Sequence, residues 1–241
     1  MNLCCSDNKK IFPTGCLICG SELHYYNKEI EKNCSICGKI TSTSTECENG
    51  HFVCDNCHLK TPIEKAEEFL LNTEKRDLIE LFVTAKIFSK FPMHGPEYHA
   101  LIPAVIVTSY KNCSSKVNNL DIKSAIIRGK KIPGGSCGFM GVCGVTSGIG
   151  IAISIIIKST PLKSRERNIN LKFCSQVLNE ITRIEGPRCC QREAFTGLKF
   201  LSKHSKELLG IHLPANYNFT CTQFIQNKEC IGKKCTLHPK A

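Results

Sequence analysis

Eight residues near the start of the chain have the types and spacing of metal ligands: Cys16-x2-Cys19, Cys34-x2-Cys37, Cys47-x3-His51 and Cys54-x2-Cys57. A CxxC pair lets two thiolates meet one ion with little strain. Thiolate plus imidazole is the donor set that zinc takes at closed, four-coordinate sites. Eight ligands fit two tetrahedral ions, so the spacing predicts two structural zinc ions. Their pairing is either sequential or interleaved. Gly20 and Gly38 directly follow two of the pairs, where a tight turn favours a residue tolerant of positive φ. Cys4 and Cys5 could reach a site from the terminus, and His58 is a substitute ligand.

A second set of cysteines lies far downstream. Cys137 and Cys143 sit in a glycine-rich stretch, Cys189 and Cys190 directly precede a helix, and the tail carries Cys221-x8-Cys230-x4-Cys235. A thiol at a helix start meets backbone N–H groups and the positive end of the dipole, which lower its pKa. That chemistry suits a metal or iron–sulfur site, or a redox dithiol. Cys137, Cys143, Cys189 and Cys190 are therefore the candidate catalytic cysteines. With Cys221, Cys230 and Cys235 they are also the candidate cofactor ligands. His94, Glu97 and His99 form a third cluster, able to serve a metal or to shuttle protons. Cys174, beside Phe173, reads as core, and Cys113 as a loop cysteine.

The composition supports a folded, thiol-rich chain. Hydrophobic residues make up 41% of the 241 residues, and nine of the 18 cysteines precede residue 60. The start of the chain lacks a basic segment followed by an apolar one. The longest uncharged apolar run, 148–157, is half of the roughly 20 residues a membrane span requires. The expected protein is therefore soluble and cytoplasmic, with reduced cysteines and no membrane partner. The formal charge is +11, but ionised metal-bound thiolates bring it to about +8 with two zinc ions. An iron–sulfur cluster would bring it to about +6. The absence of Trp and this modest balance make nucleic acid a weakly supported partner. The basic run Lys123, Arg128, Lys130 and Lys131 reads as a solvated face.

These residues need elements to hold them. Residues 1–60 have little apolar periodicity, so metal must organise them. From residue 61 the pattern is helical. Thr61-Pro62 with Glu64 is a helix start, and Leu78, Leu81, Phe82, Ala85 and Phe88 form a helical stripe. Gly95-Pro96-Glu97 opens a helix that Pro103 should kink, followed by a loop over 111–120 and a short helix over 121–128. Gly134-Gly135 breaks the chain. The apolar stretch 142–158 reads as a helix whose Gly144, Gly148 and Ala152 admit a close neighbour. Two amphipathic helices follow, carrying Phe173 and Val177, then Ala194, Leu198 and Leu201. The fold class is mainly α. A zinc-ribbon or treble-clef-like module over 1–60 precedes a helical domain over 61–241 with a Cys-rich tail.

The run CLICG…CSICG…CENGHFVCDNCH, then PMHGPEYH, PGGSCGFMGVCGVTSGIGIAIS, STPL, GPRCCQRE and ECIGKKC resembles an uncharacterised domain family of anaerobic bacteria and archaea. In that family the domain occurs alone or beside methyltransferase-like or radical-chemistry neighbours. The resemblance implies a protein partner, either a redox enzyme or a methyltransferase-like protein, and names no reaction. The central segment is also similar to the redox family with a C…GCAxxG…C…C signature. Cys143-Gly144 and Gly148 take the place of its core, while Val142 stands where that family has glycine.

The chain thus reads as a zinc-binding redox or sulfur-handling protein. A non-catalytic zinc adaptor is the alternative, and an accessory to a methyltransferase the second. Methyl transfer by this chain alone is not expected, since neither a nucleotide-binding glycine fingerprint nor a P-loop is present.

Overall fold

A computed structural model describes residues 16, 18–19, 21–54, 57 and 61–240. Cys4, Cys5, Gly20 and His58 lie outside the described residues. The chain divides into two units, 1–59 and 60–241.

The first unit is built on a hairpin. Strand β1 (Leu23–Asn33) pairs antiparallel with β2 (Ile40–Cys47), with an irregularity between Tyr25 and Ile30. The alternating Thr and Ser of β2 suit a half-exposed strand. The turn between the strands is itself a CxxC segment. Gly38 there has φ 71°, and its N–H donates to the Cys34 carbonyl at 2.8 Å. Among the described residues the unit's apolar cluster is small. Cys34, Cys54 and Cys57 are buried against partly covered Ile36, Phe52 and Val53.

The second unit is a helical bundle in which α1 (Pro62–Asn72) and α2 (Leu78–Phe88) lead into the long α3 (Glu97–Ser114). Then come α4 (Asn119–Gly129), the single-turn α5 (Ser136–Phe139), α6 (Gly144–Ile156), α7 (Ser164–Thr182) and α8 (Cys190–Leu209). The start of α1 is a capping box: Glu64 accepts the Thr61 backbone N–H at 2.8 Å. Helix α3 is the axis of the core. Every residue from Tyr98 to Tyr110 is buried, as expected for a helix apolar on all sides. It runs four residues into the expected loop and ends at Ser115 in the left-handed region, with φ 55°. The connection is therefore short, and Cys113 lies in the last turn of α3 instead of a loop.

Helices α4 and α6 pack on α3 through glycine. A Cβ on Gly129 would come within 2.5 Å of the Ala100 Cα. Gly148 faces the Pro103 ring and the His99 carbonyl, which Pro103 leaves without its helical donor. The end of the chain is pinned back onto the bundle. The Leu78 N–H donates to the Pro214 carbonyl at 2.8 Å, and Asp77 accepts the Asn216 N–H at 2.5 Å. This anchor delivers residues 221–238 beside the start of α8.

Candidate functional site

In the first unit two sets of ligand atoms converge. Cys16, Cys19, Cys47 and His51 form one set, and Cys34, Cys37, Cys54 and Cys57 the other. Within each set all ligand atoms lie within 4.8 Å of one another. The pairing is interleaved: the first and third sequence pairs share one site, the second and fourth the other. Tetrahedral zinc with thiolates at about 2.3 Å sets sulfurs about 3.8 Å apart. The Cys19 and Cys47 sulfurs are 3.7 Å apart, and those of Cys37 and Cys54 are 3.8 Å apart. His51 turns Nδ1 to 3.5 Å from the Cys47 sulfur.

Backbone amides complete both sites. The N–H groups of Ile18, His51 and Cys54 donate to the sulfurs of Cys16, Cys47 and Cys34 at 3.4, 3.3 and 3.4 Å. Burial alone would raise the Cys34 thiol, but amides of Cys37, Cys54 and Ile36 outweigh it and bring the pKa to about 7. Hydrogen bonds from Ser21 and Asn49 lower Cys19 to about 5. Both sets could hold a metal ion, and their donors are those of structural zinc.

The downstream cysteines do not form one site. Cys143 caps α6, and Cys189 and Cys190 open α8. Glu193, in the first turn of α8, joins the two helix starts. Its Oε1 accepts the Cys189 backbone N–H at 3.2 Å, and its Oε2 accepts the Cys143 thiol at 3.1 Å. The expected low pKa at a helix start is reversed. Burial, reinforced by Glu193, raises Cys143 strongly. Burial also raises Cys189 and pushes Cys190 up to about 11. Desolvation of a thiolate outweighs a few amide dipoles here.

Cys137, on the single turn α5, is exposed. It lines an open cavity of about 650 Å³ together with Cys143, Arg188, Arg192 and Glu193. Cys190 lies apart from that lining, close to the backbone N–H of Gly95. The tail cysteines converge elsewhere. Cys221, Cys230 and Cys235 surround a second, smaller cavity with Cys189 and Arg192. Arg192 therefore borders both cavities. It is buried, and its guanidinium donates to the Pro187 carbonyl at 2.9 Å.

The His94, Glu97, His99 cluster comes apart. His94 Nε2 is 3.3 Å from Asn227 Oδ1 and 3.8 Å from Glu229, tying the start of α3 to the tail. His99 turns the other way, with Nδ1 3.1 Å from the Ile132 carbonyl and its ring against Gly144. One carboxylate oxygen of Glu97 is buried without a hydrogen bond. Cys174 is half-buried between the Thr146 carbonyl and Asn170, and burial pushes it up to about 11.

Three residues near the thiols escaped the sequence reading: Glu193, Gln191 and Lys86. Only Glu193 had a local signal, as an acid in the first turn of a helix. No helix among the described residues is long and apolar enough to cross a membrane. The chain matches no curated protein and no solved structure. The model of one family of unknown function matches residues 66–238, which include every cysteine from Cys113 to Cys235. By that match the chain belongs to the family of unknown function DUF5714.

Proposed function

We propose that this is a zinc-stabilised redox and sulfur-handling protein of anaerobic metabolism. In this reading the two interleaved sites hold structural zinc, and the helical unit carries the chemistry. The observation that supports it is the open cavity shared by exposed Cys137, buried Cys143 and Glu193, with Arg188 and Arg192 at its wall. Cys137 is the acceptor thiol. Its thiolate attacks the outer sulfur of a persulfide, the donor S–S bond breaks, and the donor leaves as a thiolate. Cys143 then attacks the inner sulfur of the Cys137 persulfide and expels hydrosulfide. Glu193 takes the Cys143 proton, and the two cysteines are left as a disulfide.

The arginines favour an anionic donor. A bound iron–sulfur cluster would supply electrons to such a unit. Phe139 and Met140 are exposed beside Cys137, and this apolar rim suits a protein partner, a redox enzyme or methyltransferase-like protein. In this reading the protein works in the reducing cytoplasm, where its cysteines stay thiols or metal ligands.

Anaerobic incubation with polysulfide, followed by mass spectrometry of alkylated peptides, tests the reading. The expected product is a persulfide on Cys137 in the Cys143→Ala variant, and a Cys137–Cys143 disulfide in the wild type. Zinc retention with an inert Cys137 would instead leave a non-catalytic zinc adaptor.

A further inference from the structure

We propose that Cys189, Cys221, Cys230 and Cys235 are the ligands of a [4Fe–4S] cluster, a site separate from the thiol cavity. The assignment rests on the reading of the helical unit as a redox protein, but not on sulfur transfer at Cys137. All four cysteines line one cavity of about 20 Å³. Their spacing distinguishes them from the zinc sets. Among the described residues, only the two N-terminal groups bring three or more ligand atoms within 4.8 Å of one another. Here no three of the four sulfurs come within that distance of one another, although all four face the same cavity. Zinc draws its thiolates together and leaves no void. A cubane places four irons and four sulfides between its thiolates and holds them wider. Iron bonds sulfur well inside van der Waals contact, so a covalently held cluster needs less free volume than a loosely packed ligand.

The backbone around these cysteines repeats the metal knuckle of the first unit. The Gly232 N–H donates to the Cys230 sulfur at 3.4 Å, with Gly232 at φ 59°. The Ile18 N–H makes the same i to i+2 bond to Cys16 at 3.4 Å. The Gln191 side-chain amide donates to the Cys221 sulfur at 3.1 Å. Two short 3-10 turns, Gln223–Ile225 and Gly232–Lys234, flank the tail cysteines. The Cys221 N–H closes the tail by donating to the Leu237 carbonyl at 2.8 Å.

Charge gives an independent argument. Lys86 is buried, and its ammonium donates to the side-chain carbonyls of Gln191 and Gln223, the latter at 2.8 Å. No carboxylate pairs with it among the described residues. Buried Arg192 lines the cavity itself and pairs with Glu193 at 3.9 Å, which leaves Lys86 as the cation without a carboxylate partner. A buried cation without a close anion is costly. A four-thiolate cluster with a net charge of roughly −2 would supply the missing anion.

The test uses the full chain, reconstituted anaerobically with ferric iron, sulfide and excess dithiothreitol, which reduces half of the iron, then freed of unbound ions. The wild type is expected to hold about four iron and four sulfide with a visible charge-transfer absorption. Single Cys→Ser changes at 189, 221, 230 or 235 are expected to lose most of that iron while zinc is retained. Cys137→Ser and Cys190→Ser are expected to keep it. Lys86→Met leaves every thiol in place and guards against variants that fail to fold. It should release the cluster to a chelator about tenfold faster. Iron retained in all four ligand variants, or a third zinc bound there in place of iron, would overturn the assignment. Persulfide on Cys137 without any iron would remove the cluster and leave sulfur transfer standing. Iron lost only in the four ligand variants, with Cys137 inert, would remove sulfur transfer and leave the cluster.

Discussion

Glu193 holds two helix starts with one carboxylate and adds to the shift of Cys143. Burial comes first in raising that thiol, and the carboxylate adds to it. Glu193→Gln removes the charge and offers an amide donor to the sulfur. Alkylation of Cys143 at pH 8 should then accelerate about tenfold, one pKa unit's worth of thiolate. An unchanged rate would mean burial alone sets its reactivity. Lys86 presents the opposite case. Burial lowers its pKa from 10.5 to about 8, while Cys221 and Cys189 push it upward. Below pH 8 the lysine is charged both folded and unfolded, so the cost of burying it, about 3 kcal/mol, is fully present. Between pH 8 and 10.5 the unfolded chain holds the extra proton, and stability rises with pH. In cluster-free protein, denaturant titration should therefore show Lys86→Met stabilised relative to wild type at pH 7, with the gap closing by pH 10.5. Ligand pairs such as Cys16-x2-Cys19 were legible because both members lie on one turn. Lys86 and Gln191 were not, because their meeting depends on how α2 packs on α8.

At the scale of elements, glycines decide how closely the helices around α3 approach. Gly129→Ala would press a methyl into the α3 backbone at Ala100, where nothing flexible can yield. Denaturant unfolding should show a loss of about 1–3 kcal/mol. Gly138→Ala meets open space and should stay within about 0.5 kcal/mol of wild type. Equal losses would mean that helix propensity, and not contact, sets the effect. The glycine stripe of α6 was visible in the sequence, since its four-residue spacing is a helical period. The hairpin was hidden. Its first strand, LHYYNKEIEKN, alternates poorly and is mostly exposed, so neither period stands out. The interleaved pairing of the ligand sets was hidden for the same reason, because it depends on that hairpin.

The two units of the molecule derive their stability from different sources. The helical unit buries a large apolar cluster centred on α3. Among the described residues of the first unit, Ile36, Phe52 and Val53 are the apolar side chains packed around its second ligand set, so metal binding is expected to supply its folding energy. Chelation of zinc should melt the hairpin and expose residues 23–47 to protease, while far-UV circular dichroism retains the helical signal of residues 62–209. Loss of both together would show that the helical unit depends on the first. The central claim is that the chain carries two kinds of metal centre, distinguished by the spacing of their sulfurs. The most direct measurement is zinc, iron and acid-labile sulfide per chain after purification without oxygen. The account predicts two zinc ions, one for each converged ligand set, with about four iron and four sulfide. Three zinc ions, or two zinc ions with neither iron nor sulfide, would contradict it.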